Sequence, residues 1–102
     1  MPNPKRGASL SNYKLFETDE FIERIEEFSK VEKNFLQSKL KSYVYPQLKL
    51  EPHFGLNIKR LIDYVPPTWR YRIGKFRVFY SIDEKLKIVA ILTIDFRKDA
   101  YK

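Results

Sequence analysis

The stretch from Trp69 to Tyr80 decides the fold, and it reads WRYRIGKFRVFY. Apolar and basic side chains alternate along it on both sides of a Gly-Lys pair, and a period of two is typical of a half-buried β-strand. The stretch therefore predicts a β-hairpin with an apolar face and a basic face. The arginines of the basic face are Arg70, Arg72 and Arg77.

A third strand follows the hairpin. Residues 86–94 read LKIVAILTI, and so nearly continuous an apolar run indicates a strand covered on most of both faces. Asp83, Glu84 and Lys85 supply the turn before it. The last third of the chain is thus predicted to be an antiparallel three-stranded meander.

The residues before the hairpin have the pattern of one strand and two helices. Asn12–Phe16 favours a short strand, and Thr18 is placed to cap the helix that follows it. Val31–Tyr43 predicts a second helix, which Pro46 would end. The expected buried positions are Phe21, Ile25 and Phe28 in the first helix, and Phe35, Leu36, Leu40 and Tyr43 in the second.

The predicted class is α+β with the order β-α-α-β-β-β, in which the meander and the N-terminal strand pack on a helical hairpin. Residues 46–68 are punctuated by Pro52, Gly55, Pro66 and Pro67 and predict a loop that allows a short strand or turn. Residues 1–11 are expected to be a flexible tail, and residues 12–102 one domain.

Composition excludes several classes of protein. There is no cysteine, there is one histidine (His53), and no Gly-rich phosphate loop occurs, so thiolate, paired-imidazole and P-loop sites are not supported. No apolar run approaches the ~18 residues of a membrane span. The net charge is +7, and residues 53–77 hold six bases against one acid. That asymmetry favours a polyanionic partner.

The residues alone leave two interpretations of the basic face open. Exposed charges on a strand face are ordinary, so the arginines could be solvated and paired with Asp83, Asp95 or Asp99. Alternatively, arginine forks beside aromatic rings could hold RNA phosphates and an unstacked base.

Three motifs bear on this choice. Residues 52–61 read PHFGLNIKRL, residues 69–80 carry the hairpin, and residues 93–101 read TIDFRKDAY. Together they resemble the RelE/ParE superfamily of type II toxin–antitoxin toxins, closer to the RelE-like branch, over about residues 12–102. The resemblance implies a compact α+β toxin that is neutralised by a cognate antitoxin in a hetero-oligomer and acts in the cytoplasm without a metal or cofactor.

The RelE-like branch implies a ribosome-dependent endoribonuclease, an mRNA interferase in which the ribose 2′-hydroxyl attacks the neighbouring phosphate. The alternative is a ParE-like toxin that inhibits DNA gyrase without cutting RNA, although such members generally lack the full basic and tyrosine set. A decayed toxin that only binds its antitoxin or RNA is a third alternative.

The resemblance also implies a role for individual residues. Arg77 matches the arginine that holds the scissile phosphate, Arg97 matches a proton donor to the leaving group, and Tyr101 matches a tyrosine that stacks on the substrate base. Arg72 and Arg70 match basic strand residues, one of which is the general base in the best-known branch. Further RNA-binding candidates are Lys59, Arg60, Lys75 and Lys98.

One departure concerns the general base. The position that is lysine in that branch is Arg72 here, and an arginine does not deprotonate usefully near neutral pH. Asp95 is the first candidate for the base, with Glu51 and His53 behind it. Asp95 is equally a candidate for an ion pair that fixes Arg77 or Arg97.

Overall fold

A computed structural model describes residues 12–96 of the chain. The helices are α1 (Asp19–Glu26), α2 (Lys30–Lys39) and α3 (Tyr45–Leu50), and a π-helical turn, Leu40–Val44, joins α2 to α3. The strands are β1 (Lys14–Glu17), β2 (Ile58–Arg60), β3 (Trp69–Ile73), β4 (Phe76–Asp83) and β5 (Ile88–Phe96). The predicted tail, residues 1–11, lies outside the described residues.

The strands form one sheet in the order β1-β5-β4-β3-β2. β3, β4 and β5 form the predicted antiparallel meander, and β1 lies beside β5 in parallel. The predicted α+β class is therefore confirmed. The sheet gains a fifth strand because β2, in the segment where the sequence allowed only a short strand or turn, pairs with β3 at the opposite edge.

The helices cover one face of the sheet. Core side chains come from all three helices and from alternate positions of β3, β4 and β5, as the period of two requires. Gly74 turns the hairpin with φ +57°, a backbone conformation that carries no steric penalty for glycine. The fully buried residues include Phe21, Leu36, Leu48, Val78, Tyr80, Val89, Ile91 and Ile94.

The second helix differs from the prediction in its end and in its buried stripe. Pro46 does not end it, because Tyr45 N–H bonds to Leu40 O in a π-helical turn and the chain continues as α3 with Pro46 in its first turn. Phe35 and Tyr43 are exposed rather than buried. The wider turn shifts the buried stripe to residues further along the helix, namely Val44 and Leu48.

A β-bulge decides which way the end of β5 faces. Tyr80 pairs with Ile91 but Phe79 pairs with Thr93, so Leu92 is an extra residue in β5. Thr18 secures this point: as the N-cap of α1 it accepts from Phe21 N–H, and its hydroxyl donates to Leu92 O at 2.8 Å. The bulge reverses the parity of the strand, so the residues after it face the opposite way from a regular continuation.

Candidate nucleic-acid interface

Two rows of side chains cross the sheet face that the helices leave uncovered. The first row runs Arg72–Arg77–Asp95 across β3, β4 and β5. The second runs Lys59–Arg70–Phe79–Thr93 across β2 to β5. We call the basic members of these rows, Lys59, Arg70, Arg72 and Arg77, the arginine face. Every side chain in the two rows is half-buried or exposed within the described part of the chain.

The arginine face puts like charges directly opposite each other. Arg72 pairs with Arg77 across β3 and β4, and Lys59 pairs with Arg70 across β2 and β3. Residues in such positions have their Cβ atoms about 4.5–5.5 Å apart, and like charges there destabilise a sheet. The arrangement therefore opposes stability and concentrates positive potential, which is what an anionic ligand needs.

An aromatic side chain lies among the arginines. The Arg77 guanidinium is 5.5 Å from the ring centroid of Phe79, its neighbour two residues along the same face. Contact with the face of a ring restrains an arginine while leaving its N–H groups directed elsewhere. Phe79 thus helps to fix the guanidinium that the resemblance assigns to the scissile phosphate.

Asp95 lies at the end of the first row, where the bulge at Leu92 turns it outward beside Arg77. Its carboxylate is held by Arg24 of α1, whose Nη2 donates to Oδ1 at 2.5 Å. The sequence predicted an ion pair of Asp95 with Arg77 or Arg97, which stays a prediction, and did not predict this one with Arg24. Sequence reasoning missed Arg24, although it is the one base in the acidic sequence of α1, DEFIERIE.

The remaining basic candidates are not all on this face. Lys75 lies in the hairpin turn beside the first row, and Lys59 is in the second row. Arg60 faces the other side of β2, where its guanidinium is 5.5 Å from the ring centroid of Trp69. Adjacent strand residues point to opposite faces, so Lys59 and Arg60 cannot share one contact surface.

Three candidates, Arg97, Lys98 and Tyr101, lie outside the described residues. Their roles stay predictions from the resemblance. Phe96 is the last residue of β5 that the structure describes.

The other two candidates for a general base belong to a separate cluster. His53 contacts Glu51 through Nδ1 at 2.9 Å and Glu84 through Nε2, and Glu84 also accepts from the Tyr13 hydroxyl at 2.9 Å and from Lys87 at 3.5 Å. We call these five residues the His53 network. Its histidine packs edge-on against Trp69, which is three residues, or about 10 Å, along β3 from Arg72.

The network changes the ionisation of its members. Desolvation would raise the pKa of Glu84, but hydrogen bonds from Tyr13 and His53 and the charges of His53 and Lys87 outweigh it and lower that pKa. Desolvation and the nearby Glu84 raise the pKa of Tyr13. The His53 network is therefore a set of mutually satisfied charges, and neither Glu51 nor His53 lies beside the arginine face.

The described part of the chain offers neither a metal site nor a membrane-spanning helix. Among residues 12–96, no group of three His, Cys, Asp or Glu side chains is placed to hold a metal ion. No helix within that range is long and apolar enough to cross a membrane.

Solved structures with the same fold are toxins and toxin–antitoxin complexes. A chain of the archaeal RelE–RelB complex from Pyrococcus horikoshii OT3 matches with a TM-score of 0.63 and 22% identity, over 85% of this chain and 97% of that one. A chain of the RelBE2 toxin–antitoxin complex from Mycobacterium tuberculosis matches with a TM-score of 0.68 and 22% identity, over 86% and 94%. The isolated RelE toxin of E. coli matches with a TM-score of 0.62 and 14% identity, over 84% and 85%.

These comparisons confirm the resemblance to RelE-like toxins at the level of the fold. No protein-family model matches the sequence, and no curated protein sequence matches it significantly.

Proposed function

We propose that this protein is the toxin of a type II toxin–antitoxin system and that it cuts messenger RNA on the ribosome. The observation that carries the proposal is the placement of basic residues directly opposite each other on neighbouring strands of the arginine face, Arg72 opposite Arg77 and Lys59 opposite Arg70. Basic residues grouped in this way on one face attract a polyanion such as RNA, whose phosphates would lie across neighbouring strands. The fold shared with RelE toxins supports the same conclusion.

The proposed reaction is an internal transfer of the phosphoryl group. The ribose 2′-hydroxyl attacks the adjacent phosphorus, the bond from phosphorus to the 5′-oxygen breaks, and a 2′,3′-cyclic phosphate and a 5′-hydroxyl result. Arg77 would hold the phosphate and stabilise the charge that grows on its oxygens. Arg97 would protonate the departing 5′-oxygen, and Tyr101 would stack on the neighbouring base.

The other basic residues would position the RNA. Arg70, Lys59 and Lys75 lie on or beside the same face and would contact neighbouring phosphates. Lys98 has the same predicted role. Arg60, on the opposite side of β2, would need a different part of the RNA or of the ribosome.

The general base is proposed to be Asp95 rather than Arg72. Arg24 occupies its Oδ1, and the carboxylate has a second oxygen with which to accept the 2′-hydroxyl proton. The first row would then carry both the base and the phosphate-binding arginine on neighbouring strands.

The proposed partners follow from the charge. An antitoxin segment with acidic and apolar residues would cover the arginine face in a hetero-oligomer, as complementary potentials favour association. A short acidic reading frame beside the gene is the expected sign of it. The proposed ribosomal target places the active toxin in the cytoplasm.

The test is to add the purified protein to translating ribosomes that hold a defined mRNA. We expect cuts between codon positions in the ribosomal A site, mapped by primer extension, and no cuts in the same mRNA without ribosomes. Intact mRNA on ribosomes, with protein that circular dichroism shows to be folded, would refute the proposal.

One observation favours gyrase inhibition instead. Arg72 stands where the best-known RNA-cutting branch has its lysine base, so the chain lacks the usual proton acceptor. A supercoiling assay separates the two functions, because inhibition of gyrase together with intact ribosome-bound mRNA would select the gyrase alternative.

A further inference from the structure

A cavity lies at the edge of the sheet, between β3 and the end of α2. β2 pairs with β3 as far as Tyr71, and a backbone hydrogen bond from Arg72 N–H to Asn57 O follows at 2.9 Å. Beyond that bond, β3, the hairpin turn, α2 and the π-helical turn border about 470 Å³ of open space. Sites for small ligands have about 300–1,000 Å³, so the cavity has the size of a binding site.

Two exposed aromatic side chains form one wall of the cavity. Phe35 and Tyr43 were predicted to be core residues, yet 44% and 62% of their surfaces are exposed. Exposed apolar area is unfavourable in water, and a flat ring offers a stacking surface to a second ring. Tyr43 lies in the π-helical turn, a rare conformation that recurs at functional sites. The wall thus presents aromatic surface that lies outside the core.

Two cations flank this aromatic wall. The Lys39 ammonium is 5.8 Å from the ring centroid of Phe35 and 4.9 Å from that of Tyr43, so an anion bound to it would lie next to both rings. Arg72 lines the cavity from the sheet, and none of the described residues around the cavity is acidic. The cavity therefore suits a ligand that joins a flat ring to a negative charge.

Arg72 also connects the cavity to the arginine face. It stands in the first row opposite Arg77, and it lines the cavity as well. A polyanion that crosses the first row therefore meets the cavity at the end of that row. Single-stranded RNA fits both surfaces, because each nucleotide carries a phosphate and a base that can leave the stack. An acidic peptide would need its rings and charges at matching spacings, whereas every nucleotide repeats them.

We propose that this cavity binds one unstacked base of an RNA strand that lies on the arginine face, with Phe35 and Tyr43 as the stacking surface and Lys39 on the adjoining phosphate. The inference rests on the proposed function, because it takes the ligand to be RNA. It deepens that function by adding a base contact separate from the one that the resemblance assigns to Tyr101. Every base has a stacking face, so this contact should anchor the strand without selecting its sequence.

A comparison of two RNA probes tests the inference. One is a fluorescein-labelled 2′-O-methyl RNA decamer, which lacks the attacking hydroxyl and stays intact. The other has the same backbone with abasic residues throughout, so it keeps the phosphates and loses the rings. Fluorescence anisotropy measures the Kd of each for the full chain. Tyr43→Ala should raise the Kd of the complete decamer about tenfold, the usual loss for one base stacked on an aromatic ring, and should leave that of the abasic decamer within about twofold.

Three further variants separate stacking from charge and from general surface effects. Tyr43→Phe keeps the ring and should bind both decamers within about twofold of the unaltered protein. Lys39→Gln should weaken the binding of both, and the slope of log K against log salt concentration should become shallower by about 0.7, the amount for one phosphate contact of a single strand. Tyr64→Ala is the matched control, because Tyr64 is 54% exposed but does not line the cavity, and it should change neither Kd.

Three results would overturn the inference, with circular dichroism showing each variant to be folded. They are an unchanged Kd of the complete decamer in Tyr43→Ala, an equal loss for both decamers in that variant, and no measurable binding of the complete decamer by the unaltered protein. The first would leave the cavity to a protein partner.

Ribosomal cleavage is measured separately, so the two proposals can fail independently. A protein that cuts no mRNA but shows the base-dependent loss refutes the proposed function and keeps the inference. One that cuts mRNA without that loss does the reverse.

Discussion

The arginine face and the His53 network handle charge in opposite ways. In the His53 network each charge meets an opposite one or a hydrogen-bond donor, as Glu84 does with Tyr13, His53 and Lys87. On the arginine face positive charges meet across the strands, as Arg72 does with Arg77. The His53 network thus sets opposite charges beside each other, whereas the arginine face sets like charges beside each other.

The difference shows which polar cluster to treat as the candidate site. The His53 network joins the residue before β1, the segment after α3 and the turn before β5, so it ties together distant parts of the chain. Its histidine and carboxylates look like an acid–base set, but their partners are internal. The arginine face contains no familiar catalytic pair, but its like charges on neighbouring strands make it the more basic of the two regions, and basic surfaces attract anions.

The largest effect should come from removing the phosphate-binding arginine. Arg77→Ala should lower the rate of mRNA cleavage on ribosomes by about 10²–10³-fold, the usual loss when one charge-stabilising donor is deleted. The fold should remain, because the side chain is only half-buried. Lys87→Ala is the matched loss of a cation in the His53 network and should leave the rate within about twofold. If Arg77→Ala and Lys87→Ala lowered the cleavage rate equally, the arginine face would not differ in function from the His53 network.

Reversing one charge should move binding and stability in opposite directions. Arg72→Glu faces Arg77 with a carboxylate, so RNA affinity should fall about tenfold or more as phosphate contacts are lost. The free energy of unfolding should rise by about 0.2–1 kcal/mol, since a like-charge pair becomes an opposite one. Anisotropy and urea unfolding measure the two quantities. Stability that falls together with affinity would contradict the strain assigned to this face.

The bulge gives a test of how the helical layer shapes the arginine face. Thr18→Val removes both the cap of α1 and the hydrogen bond to Leu92, and it should cost about 1 kcal/mol in urea unfolding. Amide hydrogens near Thr93 and Asp95 should exchange faster, while those near His53 keep their rates. Thr18→Ser retains the hydroxyl and serves as the control. Uniformly faster exchange over both regions would show that the bulge is not separately supported.

The smallest effect should be the pH dependence of the His53 network. The folded pKa of Glu84 lies below its usual 4.5, so this group binds fewer protons folded than unfolded near that pH. Its stabilising contribution is complete above about pH 4.5 and is lost as pH falls through the lower, folded pKa. Melting temperatures between pH 7 and pH 3 should therefore fall less steeply for Glu84→Gln. If the melting temperatures of the unaltered protein and of Glu84→Gln fell equally between pH 7 and pH 3, the prediction would be wrong.

Local pattern alone predicted much of this molecule. Alternation gave the strands at β3 and β4 and the outward placement of Arg70, Arg72 and Arg77, because strand parity depends only on neighbouring residues. The N-cap at Thr18 was also predicted from local sequence, because an N-cap side chain accepts a hydrogen bond from a backbone N–H only two or three residues further along. The helical hairpin and the α+β class followed from short-range periodicity as well.

Long-range contacts decided the rest. The π-helical turn that carries the helix past Pro46, the bulge at Leu92 and the ion pair from Arg24 to Asp95 each depend on how layers meet. The pairing of β2 with β3 is also a long-range contact: it makes Ile58–Arg60 a strand, in which Lys59 and Arg60 point to opposite faces. The sequence by itself determined that a basic face would exist. Only the tertiary structure decided which charges share it, because register and packing join residues 71 positions apart in the chain.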